Sequence, residues 1–344
     1  MRRGDLSQPA RRRVRPARRG ADGGDPHRHV RASSPRHPSG DRRRPHRGRR
    51  APGDARAPGD PMIDWLLEPY QYEFMRRALL VLLVTSVVMG VVGGFVVHKG
   101  LAFSGDALAH ATLAGVAVAF VAGASVGLGA LVAAVLTALG IGWTRDRARV
   151  SADTAIGIVF VAMFSLGIVI LSRRASYTPD LMSFVFGNIL GVSAGDVVGS
   201  AVLAVALLLF VGAFYRELLL VAYDPAMAAT TGVPAKLFQY ATLVMVAVAV
   251  VVALKAIGIV LVNAMLLIPV STAALFLRRL PSIMVAGALI AFGCAATGLH
   301  LSYYAGVATS PAIVLVACAV FLAVLAVTSR RGVRLVAAAE AEAS

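Results

Sequence analysis

Cysteine is nearly absent: Cys294 and Cys318 are the only two in 344 residues. Two thiols in separate apolar runs give no disulfide framework and no soft thiolate metal site, and they read as small packing residues. Charge is scarce too. Asp, Glu, Lys and Arg make up 15% of the chain, against about 25% in an ordinary soluble domain. No Gly-x-x-x-x-Gly-Lys-[Ser/Thr] string occurs, so the chain has no phosphate loop, and no His-Glu-x-x-His zinc motif is present. Any active transport must therefore draw its energy from a partner chain or an ion gradient. Polar groups inside the apolar segments are too few for an intramembrane enzyme.

What the chain has in excess is apolar surface. Hydrophobic residues are 58% of the total and the mean hydropathy is +0.74. Few soluble domains could hide so much, so a bilayer is the natural solvent. The formal net charge of +16 suggests nucleic acid only until it is located. Residues 1–61 hold 18 Arg, no Lys and 6 Asp, whereas residues 62–344 hold 16 basic and 12 acidic side chains. The basicity belongs to a tail, and no nucleic-acid partner is expected. That Arg/Pro/Gly-rich tail cannot bury enough surface to offset chain entropy, so disorder is expected. It could meet anionic lipid electrostatically, but it lacks the apolar stretch and cleavage site of a targeting segment. The favoured reading is an over-extended gene start, with Met62 as the true beginning.

From Arg77 onward the sequence divides into apolar runs near the ~20 residues that cross a bilayer. Spans are expected at 77–97, 105–122, 126–143, 154–172, 196–214, 237–254, 256–276, 283–302 and 310–328. Only Lys255 separates the sixth from the seventh, so eight spans remain possible. The expected fold is all-α and polytopic: a permease domain over 62–330 and a short cytoplasmic tail over 331–344. Positive charge in short loops sets orientation. With the N-terminus outside and the C-terminus inside, the inner loops carry His98, Lys99, Arg145, Arg147, Arg149, Arg216, Lys236, Arg278 and Arg279. The outer loops carry Arg173, Arg174 and Lys255.

Four stretches could carry chemistry. In Gly105-Asp106-Ala-Leu-Ala-His110 a carboxylate and an imidazole stand at i and i+4, one helical turn apart on one face. That donor pair suits Mn²⁺, Fe²⁺ or Zn²⁺ better than Cu⁺ or Ca²⁺. The alternative is a helix-start carboxylate bonded to a satisfied histidine. In Asp224-Pro225-Ala-Met-Ala228-Ala-Thr-Thr-Gly232-Val-Pro234, Asp224 is a good N-cap, Pro225 suits the first helical position and Gly232 suits the residue past the end. A short capped helix in an inner loop is either a docking lever or an ordinary connector. The stretch from Tyr177 to Asp196 reads as an amphipathic external segment too interrupted to cross, in which Asn188 and Asp196 act as caps. Within the seventh span Pro269 should kink the helix, and Asn263 is a buried polar group needing a partner. His300 beside Tyr303 and Tyr304 reads as part of an interfacial belt.

Taken in order, these elements resemble the membrane subunit of the manganese/zinc/iron ABC importers. The resemblance rests on Phe-Met-Arg-Arg-Ala-Leu at 74–79, Gly-Asp-Ala-Leu-x-His at 105–110 and Phe-Gly-Asn-Ile-Leu at 186–190. It continues with Asp-Pro-x-x-Ala-x-x-x-Gly-x-Pro at 224–234, Gly-x-x-Leu-Val-x-Ala-x-Leu-x-x-Pro at 258–269, Leu-Ser-Tyr-Tyr at 301–304 and Ser-Pro-Ala-Ile-Val-Leu at 310–315. Together these cover about 74–328. The resemblance implies an ABC type II importer-like permease in the plasma membrane that is not itself an enzyme. It implies a second permease copy or paralogue completing the path, ATPase subunits on the cytoplasmic face and an external solute-binding lipoprotein. Asp106 and His110 become candidate metal contacts. Asp224, Pro225, Ala228 and Gly232 become the ATPase-coupling helix, and Asn263 and Pro269 a hinge or pathway pair. No permanent cofactor is implied, because the divalent metal is cargo. Tyr223-Asp224 and the Ala-Thr-Thr at 229–231 depart from the family's usual Ser-Asp and Arg-Ala-Leu. Two readings remain beside this one: a permease for a metal chelate, siderophore or cobalamin, and a proton-coupled secondary metal transporter.

Overall fold

The computed structural model describes residues 68–172, 187 and 189–343. The basic tail over 1–61 and most of the stretch from Tyr177 to Asn188 lie outside the described residues. Among those described, nine helices are long and apolar enough to cross a membrane. They are α1 (Glu73–His98), α2 (Ala102–Ala122), α3 (Val126–Ala148), α4 (Ala152–Ser172), α5 (Ala194–Ala213), α8 (Ala235–Leu254), α9 (Ala256–Ala274), α10 (Leu280–Ala305) and the Thr309–Ser329 part of α11. Two shorter helices, α6 (Tyr215–Tyr223) and α7 (Pro225–Thr230), link α5 to α8. The helix α11 itself runs from Thr309 to Ala343, so the expected C-terminal tail continues it without a break. Single 3-10 turns occupy Glu68–Gln71 and Ile189–Gly191.

Local chemistry sets the ends of these helices. Ser125 caps α3 by accepting from the Leu128 amide, and Ser193 with Asp196 forms a reciprocal capping box on α5. Asp196 is thus a cap, as its position in the sequence suggests. Pro281 stands in the first turn of α10, where a missing amide hydrogen costs nothing. Residues 215–223, expected to be loop, form a helix that turns Leu218 and Val221 fully inward.

The sixth and seventh spans form one run, Ala235–Ala274, interrupted at Gly258 with φ 76° and ψ 166°. Two contacts show what the interruption does. Lys99 at the foot of α1 donates to Thr242 Oγ1 at 3.2 Å. Six residues earlier, a Cβ on Gly93 would strike the backbone carbonyl of Leu266. Residues 93 and 99 are ~9 Å apart along α1, but a straight helix would separate 242 from 266 by ~36 Å. The chain therefore folds back at Gly258, a backbone geometry that an L side chain rarely adopts. Among the described residues nine separate spans result, not eight. At Pro269, where a kink was expected, the φ/ψ values stay helical, so the non-helical residue of this run is Gly258. Proline's fixed φ is compatible with a helix, and glycine alone relieves the reversal.

α1, α2, α8 and α9 bury most of their length and make the centre, whereas α4, α5 and α11 bury less than a quarter of theirs. Lipid is as apolar as leucine, so hydrophobic burial does not drive these helices together; close approach at small residues does. Gly115 and Gly129 meet backbone to backbone between α2 and α3, and Gly298 lies against Ile313 between α10 and α11. Membrane-depth hydroxyls turn onto their own helices: Ser86 onto Leu82 O, Thr137 onto Ala133 O and Thr272 onto Ile268 O, at 2.6–2.7 Å. Those side chains are thereby satisfied without a ligand.

Candidate functional site

The α1–α2 turn places the first element. Gly100 takes φ 65°, the Leu101 amide bonds back to Val96 O, and α2 starts at Ala102, three residues before the expected boundary. Asp106 and His110 consequently lie in the second and third turns of α2 on one face, as their spacing requires. His110 Nδ1 is 3.4 Å from Asp106 Oδ1 and 3.0 Å from the Asp106 backbone carbonyl. The Asp106 side chain is 48% exposed and that of His110 29%, so the pair opens to a surface rather than closing into the core.

A third residue joins them from far along the chain. Asn263 on α9 donates through Nδ2 to Asp106 Oδ1 at 2.5 Å. Its own Oδ1 is buried and has no hydrogen-bond partner among the described residues. The buried amide thus finds the partner that its position demanded, and the partner is the candidate acid. The pairing is possible because Gly105 leaves room, since a Cβ there would stand 3.1 Å from Asn263 Oδ1 and 2.6 Å from Leu266 Cδ2. Two aromatic rings from α4 close the other side. Phe160 and Phe164 meet the His110 imidazole edge to face, with centroids 5.7 and 5.8 Å away. An i, i+4 pair of phenylalanines in an apolar helix looks like any lipid-facing pair, so the sequence carried no signal for them.

Other sequence candidates fall elsewhere. The second motif forms α7 as written: Asp224 Oδ1 accepts from the Ala226 and Met227 amides at 2.9 Å, Pro225 opens the helix, and Gly232 follows its end with φ 80°. Ala228 is fully buried, while Met227 projects outward. Pro269 lies within α9, two turns past Asn263, and is not at the acid. His300 is 9% exposed, with its Nδ1 3.1 Å from the Tyr70 hydroxyl and 3.0 Å from the Ala296 carbonyl, apart from the Asp106 pair. Two Gly-x-Ser-x-Gly strings, 123–127 and 191–195, resemble a hydrolase nucleophile turn. Their serines are Ser125 and Ser193, both engaged as helix N-caps.

Residues 71–328 match the family model described as the ABC 3 transport family. The chain belongs to that family. It is a multi-pass membrane permease subunit, not an enzyme, and ATP hydrolysis resides in a separate subunit. Among curated relatives, it is 38% identical over 262 residues to the manganese transport system membrane protein MntC of Halalkalibacterium halodurans, covering 76% of this chain and 90% of that one. It is 34% identical over 264 residues to the chelated iron transport system membrane protein YfeD of Yersinia pestis, covering 77% and 89%. Among solved structures, it resembles PsaBC from Streptococcus pneumoniae in complex with a Fab, with TM-score 0.68 and 31% identity over 76% of this chain and 95% of that one. An inward-facing metal-chelate type ABC transporter aligns with TM-score 0.59 at 13% identity, a likeness of fold alone.

Proposed function

We propose that this permease imports a divalent first-row transition metal, and that Asp106 and His110 touch the metal on its way. The observation that carries the reading is the carboxylate–imidazole pair on one exposed helix face, 3.4 Å apart and steadied by Asn263. Manganese and iron are the metals in the relatives' names, and a hard oxygen beside an imidazole nitrogen suits both. Zinc fits the same donors. His110 Nδ1 is committed to its own helix, so Nε2 is the nitrogen that would meet the metal.

Two donors are too few for such an ion. Among the described residues no group of three or more His, Cys, Asp and Glu could hold a metal. A second permease copy bringing its own Asp106 and His110 would supply four, and the half-exposed pair supports a path lying between copies. The sparsely covered faces of α4, α5 and α11 are open to that copy or to lipid. α7 serves as the docking lever: buried Ala228 fixes it to the body, and exposed Met227 faces the ATPase subunit. A solute-binding lipoprotein delivers metal at the opposite face.

The orientation proposed is N-terminus outside and C-terminus inside. His98, Lys99, Arg145 and Pro225 line one cavity and so share one end of the bundle. Glu68, Tyr70, His300 and Tyr304 meet at the other end. The basic end is the cytoplasmic one by the positive-inside rule.

The test is uptake of radioactive Mn²⁺ by cells carrying Asp106→Ala or His110→Ala, with the permease at normal abundance. Loss of a contact should lower initial uptake by at least about tenfold, the effect of losing even an indirect ligand contact. Normal uptake in both variants would remove these residues from the path.

A further inference from the structure

A cavity of about 300 Å³ opens at the Lys99 end, between the foot of α1 and the α6–α7 connection. Its rim carries His98, Lys99 and Arg145, and its floor includes the buried Leu101 and Leu243. No carboxylate lines it. Of the acids adjacent in sequence to lining residues, Asp146 accepts from the Tyr240 hydroxyl, Asp224 caps α7, and Asp153 is exposed in the first turn of α4. The hydrogen bond that Lys99 makes among the described residues goes to a neutral hydroxyl, Thr242 Oγ1. From this arrangement we propose that the cavity binds the phosphate of an anionic phospholipid.

Three further points favour this occupant. The cavity is lined by residues at the ends of α1, α3, α4 and α8, the level at which a bilayer's headgroups sit. An ammonium and a guanidinium facing one space are suited to a phosphodiester, which accepts from both at once. The apolar floor can receive the glycerol and the first acyl carbons. Burial and the nearby positive charge of Arg145 hold the Lys99 ammonium down to a pKa of about 8. An anion placed between these two cations offsets both the burial of the ammonium and its repulsion from Arg145. The chief competitor is an acidic side chain of the docking ATPase, since Pro225 of α7 also lines the cavity. A carboxylate would leave most of the space and all of the apolar floor unused.

The experiment uses the full chain, purified in zwitterionic detergent and washed free of lipid. It is supplied with phosphatidylglycerol or phosphatidylcholine, and the retained lipid is measured by native mass spectrometry beside the unfolding temperature. The expected result is retention of phosphatidylglycerol but not phosphatidylcholine, with a raised unfolding temperature. The Lys99→Gln/Arg145→Gln double variant should retain at least about fivefold less, whereas Lys99→Arg/Arg145→Lys should retain it, which controls for folding. Inorganic phosphate at high concentration should compete. Equal phosphatidylglycerol retention by the Gln variant, or equal retention of both lipids, overturns the proposal. So does full stabilisation by inorganic phosphate with no lipid retained. A Gln variant that keeps phosphatidylglycerol but no longer co-purifies with the ATPase assigns the cavity to a partner's acid, and also overturns it.

Discussion

Asn263 donates its amide to Asp106 across 2.5 Å, joining α9 to α2 through residues 157 positions apart. The bond ties the candidate metal-binding carboxylate to the helix that begins at the Gly258 reversal and contains Pro269. Any tilt of α9 would therefore move or release the acid. The residue expected to be a hinge and the residue expected to be a ligand belong to one unit.

Removing that tie should weaken transport without removing a donor to the metal. Asn263→Ala leaves the Asp106 carboxylate free to rotate and to seek water or His110. Partners that orient metal ligands are worth roughly 10–100-fold in metal affinity or activity. Manganese uptake should accordingly fall at least about tenfold at unchanged abundance. Asn263→Asp should be worse, because a second carboxylate would face Asp106 at hydrogen-bonding distance and disfavour its ionised form. Uptake at the parental rate in both variants would limit Asn263 to packing.

Close approach at the centre predicts a contrast between two glycines. A Cβ on Gly93 would meet the backbone carbonyl of Leu266 and the side chain of Val270, neither of which can yield cheaply. Gly93→Ala should lower stability by about 1–3 kcal/mol, the usual effect of overpacking. Gly157 on α4 has open space where its Cβ would stand, so Gly157→Ala should be neutral or slightly stabilising by helix propensity. Unfolding temperatures in one detergent check both, and similar values for the two variants would contradict the packing described.

The nine spans and the Asp106/His110 pair were legible because each depends on residues close in sequence. Length and hydropathy mark a span, and an i, i+4 offset marks a helix face. α7 was legible for the same reason, since Asp224, Pro225 and Gly232 write its ends locally. What was not legible lies between elements. Nothing near Asn263 points to Asp106, and nothing near Phe160 points to His110. In lipid the outer face of a helix is as apolar as its packed face, so the pattern that orients a soluble helix is missing. Pro269 drew attention to the seventh span, but the residue whose backbone leaves the helical region is Gly258. Gly258 carries the reversal, and only the packing of 242 and 266 against α1 reveals it.

The cap on α7 gives a prediction about coupling. Asp224 Oδ1 satisfies two amides that would otherwise be orphaned at the start of a six-residue helix. Its loss should cost about 1 kcal/mol locally, which matters for an element this short. Asp224→Ala should reduce co-purification of the ATPase and metal-stimulated ATP hydrolysis, while Asp224→Asn, an equally good cap, should preserve both. Equal loss in the two variants would mean that the negative charge, not the cap, is what the partner reads.

Lys99 makes stability depend on pH in an unusual direction. Its ammonium titrates near pH 8 in the folded protein, against an ordinary value of 10.5, because burial and Arg145 both disfavour the charge. Below pH 8 the folded and unfolded chains both hold the proton, and the full penalty of the buried charge applies. Between pH 8 and 10.5 the unfolded chain binds more protons than the folded one, so the contribution of Lys99 to stability improves as pH rises. Above 10.5 the penalty is gone. Lys99→Met removes the charge at every pH with little change in volume. In detergent free of anionic lipid, the variant should therefore be more stable than the parent below pH 8. That advantage should shrink steadily toward pH 10.5. Comparing the two proteins removes the contributions of groups that do not interact with Lys99. An advantage that stays constant across this range would show that the Lys99 ammonium is not held down by its surroundings.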